Sequence, residues 1–324
     1  MPRAIVMRAH GGPEVLVEED IQVAAPEPGQ ILLRQTAASV NFHDVYVRTG
    51  LYRTLALPGT PGLEGVGVVE AVGEGLTHVV PGDRVAYVDS GYGSYAEMRV
   101  LDAWRAIKLP DSLGDQAAAA SVMKGMTAHV LLNVVGRVRR GMTVVVHAGA
   151  GGMGQMLCRW AARLGATVIA TTGNEEKAEK AKSCGADFTI LYRSEDVVTR
   201  VMDITGGKGA DVVFDSVGAA TFDCSLASLG HLGHLCLYGQ ASGPVAPLAP
   251  ARLADRSLTL SRPILFHYMR STEQLAPIAE ATLGAFAVGV IKPIDPLVLP
   301  LAQASEAHRV IEAGESPGGI VLVP

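Results

Sequence analysis

The chain has 324 residues, enough for about two domains at roughly 100–200 residues each, with a sizeable core. Hydrophobic residues make up 48% and charged residues 18%, which excludes an intrinsically disordered chain. Against 27 basic residues stand 32 acidic ones, a net charge of −5, and this balance argues against a nucleic-acid partner gripped through its phosphates.

In chain order, residues 1–125 read as mostly β. Ala4–Arg8 and Val15–Glu19 flank the turn signal His10-Gly11-Gly12-Pro13 and suggest a hairpin. Ile31–Ser39 is rich in strand formers. Asn41 is placed to cap a short helix, Phe42–Arg48, that stops at Gly50. Gly65–Val72 and Asp83–Val88 read as apolar strands between glycine and proline punctuation. The Ala- and Leu-rich stretch Ala117–Val135 reads as helix interrupted at Lys124-Gly125.

After Gly141 strands and helices alternate. Thr143–His147, Thr167–Thr171, Phe188–Leu191, Asp211–Phe214 and Leu232–Tyr238 read as strands. Gln155–Leu164, Asn174–Ser183, Val197–Ile204 and Thr221–Leu229 read as the intervening helices. Such alternation with short connections requires parallel crossovers, hence a doubly wound sheet. Past Ser261 the alternation fails. A capping-box pattern at Ser271–Gln274 opens a helix, Pro293–Pro300 reads as irregular, Ala302–Ala313 as helix and Gly319–Val323 as strand. This tail is too short for a domain and is expected to return to the first one. The expected division is 1–125 with 262–324, and 126–261.

The segment Thr143–Gly154 carries the strongest signal: Gly149, Gly151 and Gly154 spell GxGxxG between a buried strand and an amphipathic helix. Gly149 allows the tight turn, Gly151 the approach of a pyrophosphate, and Gly154 close helix–strand packing. The helix N-terminus offers free N–H groups to phosphates. A nicotinamide cofactor with a 2′-hydroxyl wants a carboxylate at the end of the second strand. Here that end reads Ala170-Thr171-Thr172-Gly173, with Lys177 in the next turn and Tyr192-Arg193 after the third strand. A missing acid and nearby cations favour the 2′-phosphate of NADPH, with Arg193 equally readable as a solvated surface charge.

The four cysteines, Cys158, Cys184, Cys224 and Cys236, form no CxxC pair, so a disulfide framework or a treble-cysteine zinc lobe is unsupported. His231, His234 and Cys236 make a weak cluster whose alternating side chains point to different faces of a strand. Met1-Pro2-Arg3 leads into a short apolar stretch without a signal-peptide pattern. No apolar run of about 20 residues suggests a membrane span, and a cytoplasmic protein is expected.

Across nearly its whole length the chain resembles the zinc-free medium-chain dehydrogenases/reductases, in their quinone oxidoreductase (zeta-crystallin-like) branch, and among these the bacterial NADPH:quinone reductases. The resemblance rests on Gly11–Leu16, Ser39–Phe42, Tyr46–Tyr52, Pro61–Glu64, Gly82–Val85, Lys124–Thr127, Ala148–Gly154, Asp215–Gly218 and Tyr238–Gln240. It implies an α/β chain: a GroES-like, mostly β catalytic domain plus a doubly wound Rossmann domain for NADPH, a cleft between them, and a homodimer. It implies catalytic positions at Asn41, Tyr46 and Tyr52. Cofactor-binding positions are Asn41, Tyr46, Thr127, Gly149, Gly151, Gly152, Met153, Gly154, Gly173, Lys177, Tyr192, Ser216, Tyr238 and Gln240. Where zinc alcohol dehydrogenases carry ligands, this chain has Asn41 and Leu63, so no metal is expected. Family members carry Asn where this chain has Gln240. Three functions stay open: reduction of a small-molecule quinone, reduction of an activated C=C bond in an enone, 2-alkenal or acrylyl thioester, and a crystallin-like or RNA-binding role. The charge weighs against RNA.

Overall fold

The computed structural model describes residues 1–324. Strand β1 (Arg3–Val6) pairs antiparallel with β2 (Val17–Asp20). Then follow β3 (Gln30–Val40), α1 (Phe42–Thr49), β4 (Glu64–Val72), β5 (Arg84–Val88), β6 (Met98–Asp102), β7 (Ile107–Lys108) and α2 (Asp115–His129). The alternating region is β8 (Thr143–Val146), α3 (Gly152–Leu164), β9 (Thr167–Thr172), α4 (Glu175–Ser183), β10 (Phe188–Leu191), α5 (Val197–Ile204), β11 (Ala210–Asp215), α6 (Phe222–Ala227), β12 (Leu229–Leu237) and β13 (Thr259–Ser261). The chain closes with α7 (Thr272–Ala287), β14 (Leu297–Pro300), α8 (Ala304–Ala313) and β15 (Ile320–Val323).

Two compact units result. The first comprises Met1–Met123, Met269–Ala279 and Pro293–Pro324; the second comprises Lys124–Tyr268 and Glu280–Lys292. The first is built on a sheet in the order β14-β15-β3-β4-β5-β7, with β6 also pairing β3. The C-terminal strand β15 runs antiparallel to β3, with Ile320 opposite Val40, so the chain end is stitched beside Asn41. Ile5, Met7, Val40, Leu301 and Ile320 form one of its cores.

The second unit is a six-stranded sheet in the order β10-β9-β8-β11-β12-β13, every neighbouring pair parallel. The order runs outward in both directions from β8 and β11. Their C-terminal ends therefore form the topological switch point at which such sheets bind ligands. Val145, Ile169, Val213 and Leu235 are fully buried in its core.

Three expectations need correction. Residues 262–268 and 280–292 cluster with the second unit rather than the first. Residues 297–300, expected to be irregular, form β14 along β15; its exposed and half-buried alternation carries too weak an apolar signal to show in sequence. Most instructive, α2 runs unbroken through Lys124-Gly125 and then loosens into a π-turned segment, Val130–Val135. Gly125 stands inside the helix because a Cβ there would lie 2.6 Å from the Thr282 methyl of α7. The combined stretch Asp115–Val135 is also long and apolar enough to cross a membrane by composition. Two-thirds (67%) of its most apolar window is buried inside the protein, as a core helix would be.

Helix propensity alone favours Gly125→Ala by about 1 kcal/mol, whereas overpacking costs about 1–3 kcal/mol. The contact with Thr282 decides the sign: Gly125→Ala is expected to lower the unfolding midpoint. In a Thr282→Ser background, where the methyl is gone and the hydroxyl kept, the same change should be neutral or stabilising. A denaturant titration of the four proteins checks this; a Gly125→Ala that stabilises the parent chain would refute it.

Candidate active site

In the first unit the site residues gather around α1. Asn41 is its N-cap residue, and the Asp44 carboxylate accepts the Asn41 backbone N–H at 2.8 Å. Asp44 also accepts the Tyr95 hydroxyl at 3.1 Å. The Asn41 side-chain amide is turned to fully buried Glu64, donating to Oε2 at 3.3 Å, while Glu64 Oε1 accepts the Met123 amide at 2.7 Å. Asn41 is thus held from both its ends, as a residue presenting one orientation needs to be.

At the other end, Gly50 adopts the left-handed conformation that stops α1. The chain folds back so that the Tyr52 amide donates to the Tyr46 carbonyl at 3.0 Å. The two rings meet edge to face, 5.2 Å between centroids. His43 packs edge-on against Tyr52 at 5.3 Å, and its Nε2 lies 3.2 Å from the Tyr92 hydroxyl, which also bonds Thr54. Tyr92 is buried with a left-handed φ of 64°, a strained state for a bulky residue. The segment is anchored by Asp89, which pairs with Arg99 at 2.6 Å and Arg105 at 3.3 Å and accepts the Gly91 amide. Burial pushes the His43 imidazole down to about 4, so this wall of rings contains a neutral histidine.

Asn41, Tyr46 and Tyr52 lie along one short segment, α1 and the turn after it, with His43, Tyr92 and Thr54 beside it. Sequence reasoning missed Tyr92 and Thr54. The signal available was slight: Tyr92 lies between two glycines.

In the second unit, the turn after β8 is as close as its glycines require. A Cβ on Gly149 would stand 2.6 Å from that of Ala170 on β9, and one on Gly154 would stand 2.3 Å from the Ala148 carbonyl oxygen. Gly151 is the N-cap of α3 and no side chain caps the helix, leaving Gly152 and Met153 to open it. A 13-residue helix with an uncapped N-terminus and a glycine at the point of approach fits a pyrophosphate.

On the β9 side, Thr172 is buried, and Gly173 lies where a Cβ would stand 2.9 Å from the Tyr192 hydroxyl and 3.6 Å from Arg193 Nε. The Lys177 backbone is capped by Asn174 Oδ1 at 2.9 Å, and the residue sits exposed on the first turn of α4. Gly173, Tyr192, Arg193 and the first turn of α4 therefore share the edge that the sequence pointed to. On the β11 side, the Tyr238 amide donates to the Asp215 carbonyl at 2.8 Å, and a Cβ on Gly239 would meet the Ser216 carbonyl oxygen at 2.4 Å. Ser216, Tyr238 and Gln240 thus lie on two interlaced loops, with Thr127 on α2. The weak His231/His234/Cys236 cluster comes apart: His234 Nε2 bonds Ser261 at 2.8 Å, and no group of three or more His, Cys, Asp or Glu forms a metal-holding set.

The alcohol dehydrogenase GroES-like domain model matches residues 27–111, and the zinc-binding dehydrogenase model matches residues 152–280. A quinone oxidoreductase of Pseudomonas aeruginosa is 40% identical over all of both chains. The chain belongs to the quinone oxidoreductase branch of the medium-chain dehydrogenases/reductases. Within that branch it is also 40% identical to a 2-haloacrylate reductase of a Burkholderia species, over all of this chain and 99% of the other. The structure of Escherichia coli quinone oxidoreductase complexed with NADPH superposes with a TM-score of 0.96 at 37% identity, covering 99% of this chain and all of that one.

Half-buried His43 and fully buried His308 both contribute to the acid sensitivity of the first unit. Desolvation lowers His43 to about 4 and His308, which bonds Tyr95, to about 3. Their unfolded value is about 6.5, so below that pH the unfolded chain binds more protons than the folded one. Their contribution to stability is complete above about pH 6.5 and is lost as pH falls through about 4 for His43 and about 3 for His308. Denaturant unfolding followed across this range should show stability rising with pH. A flat or inverted profile in the parent chain, unaltered in His308→Gln, would contradict the assignment.

Proposed function

We propose that this chain is an NADPH-dependent oxidoreductase that reduces quinones without zinc. The observation that carries the cofactor reading is the β9 end: neutral, buried Thr172 beside Gly173, with Tyr192 and Arg193 against Gly173 and Lys177 on the first turn of α4. A carboxylate at Thr172 would repel a 2′-phosphate, whereas a neutral residue leaves room for one beside Lys177, Arg193 and the Tyr192 phenol. Gly149, Gly151, Gly152, Met153 and Gly154 hold the pyrophosphate. Gly173, Lys177, Tyr192 and Arg193 hold the 2′-phosphate, and Thr127, Ser216, Tyr238 and Gln240 line the rest of the cofactor. When bound, NADPH supplies a hydride from its nicotinamide ring.

Asn41, Tyr46 and Tyr52 are assigned to the acceptor side. A flat quinone needs ring contacts and hydrogen bonds to its oxygens, and its reduced oxygen is only weakly basic. The Tyr46–Tyr52 pair and neutral His43 suit that requirement. The likeness to a 2-haloacrylate reductase supports a second reading, reduction of an activated C=C bond; protonation at carbon would then fall to a placed donor, for which Tyr46 is the candidate. We assign the first unit the catalytic role and the second the cofactor role, with residues 126–261 as the heart of the latter. A cytoplasmic homodimer completes the proposal.

Lys177→Ala is expected to weaken NADPH binding about tenfold or more, the effect of losing one charge-assisted hydrogen bond, and to leave NADH nearly unchanged. Arg193→Ala should act in the same sense, and Thr172→Asp should erode the preference by repulsion. Dissociation constants for both cofactors decide the matter. A parent chain that binds NADH equally well would sink the assignment.

Asn41 and Leu63 stand where the zinc relatives carry ligands, so activity is expected to survive exhaustive dialysis against a chelator. Stoichiometric zinc in elemental analysis, with activity lost on its removal, would overturn the zinc-free assignment. Tyr46→Ala and Tyr52→Ala should raise the quinone KM more than the NADPH KM; equal shifts in both would reduce the tyrosines to packing residues.

A further inference from the structure

Beneath the switch point lies a buried chain of side chains that no role above uses. His147, the residue after β8, places Nδ1 3.0 Å from Thr171 Oγ1 on β9 and Nε2 2.9 Å from Ser225 Oγ on α6. Ser225 donates to Asp215 Oδ2 at 2.7 Å. Asp215, at the end of β11, also accepts the Val217 and Gly218 amides at 2.8 and 3.0 Å and the Thr221 hydroxyl. All four linked residues are at most 2% exposed.

The donors fix the direction of the chain. Ser225 spends its proton on the carboxylate, so its oxygen accepts Nε2–H of His147, and Nδ1 accepts the Thr171 hydroxyl. Burial lowers the imidazole, consistent with a neutral ring. A hydrolytic triad is excluded: serine, not histidine, faces the carboxylate, and the hydroxyl is sealed from any substrate.

Each end of the chain holds a different cofactor segment. Thr171 precedes Thr172-Gly173, and its carbonyl accepts the Gly149 amide at 3.0 Å. His147 precedes the Ala148–Gly154 turn, in which Ala148 is held at a left-handed φ of 52°. Asp215 shapes Ser216–Gly218. We infer that Thr171, His147, Ser225 and Asp215 form a positioning relay that sets the spacing of the adenosine-ribose segment, the pyrophosphate turn and the cofactor-lining Ser216–Gly218 segment as one unit. The inference rests on the NADPH reading above.

The relay makes a demand that simple packing does not: a change at Ser225 must be felt at the β9 edge. The probe is 2′-phosphoadenosine 5′-phosphate, which carries only the adenosine end of NADPH, measured with the full-length chain alongside NADPH. Ser225→Ala is expected to weaken the fragment about fivefold or more, the lower end of coupling between sites, and to raise the NADPH KM while kcat and the quinone KM stay within about twofold. Thr171→Val, which keeps shape and removes the hydroxyl, should act likewise, and Thr171→Ser should restore binding. Fragment affinity unchanged in both Ser225→Ala and Thr171→Val, with only a lowered unfolding midpoint, would overturn the relay. A parent chain that binds neither fragment nor NADPH would instead overturn the cofactor reading, and the relay with it.

Discussion

The nucleotide-binding half of the molecule depends on one constraint, the closeness of the Ala148–Gly154 turn to its surroundings. The turn lies so near β9 that Gly149 has no space for a methyl group, and so tight on itself that the Ala148 carbonyl occupies the Cβ position of Gly154. That closeness delivers the N-terminus of α3 to the mouth of the sheet without a side-chain cap, where backbone N–H groups remain to meet phosphate. The order of the sheet then does the rest. Because β8 and β11 are neighbours whose chains continue in opposite directions, their ends open a crevice into which the β9, β11 and β12 loops all lead.

The first unit answers a different problem, fixing an amide and a group of rings along one short segment. Asn41 is gripped by Asp44 through its backbone and by Glu64 through its side chain. The helix that follows is stopped by Gly50, so that two tyrosines meet across the turn. The strained Tyr92 is held by a segment pinned at Asp89 by two arginines and braces His43 from behind. The result is a cluster of rings and hydroxyls around neutral His43, the group assigned above to the acceptor side.

What the sequence made legible were local features. The glycine turn, the cap at Asn41, the stop at Gly50 and the neutral end of β9 each announce themselves within a dozen residues, because each is a backbone requirement met by a particular side chain or by its absence. What stayed hidden depends on partners remote in sequence. Gly125 looked like a helix breaker because the methyl it makes room for belongs to Thr282. Tyr92 gave no sign of reaching His43, nor His147 of reaching Ser225, since nothing local records such contacts. Strand β14 escaped notice because its neighbour β15, not its own alternation, makes it a strand.

The resemblance to named quinone oxidoreductases and to a 2-haloacrylate reductase leaves two acceptor chemistries for one cofactor site, and the ring wall of the first unit favours one of them. Steady-state NADPH consumption with ortho-quinones, para-quinones and enones, compared by kcat/KM, tests this most directly. The account predicts that quinones are reduced far more efficiently than enones. Turnover confined to activated C=C bonds, with quinones inert, would contradict it.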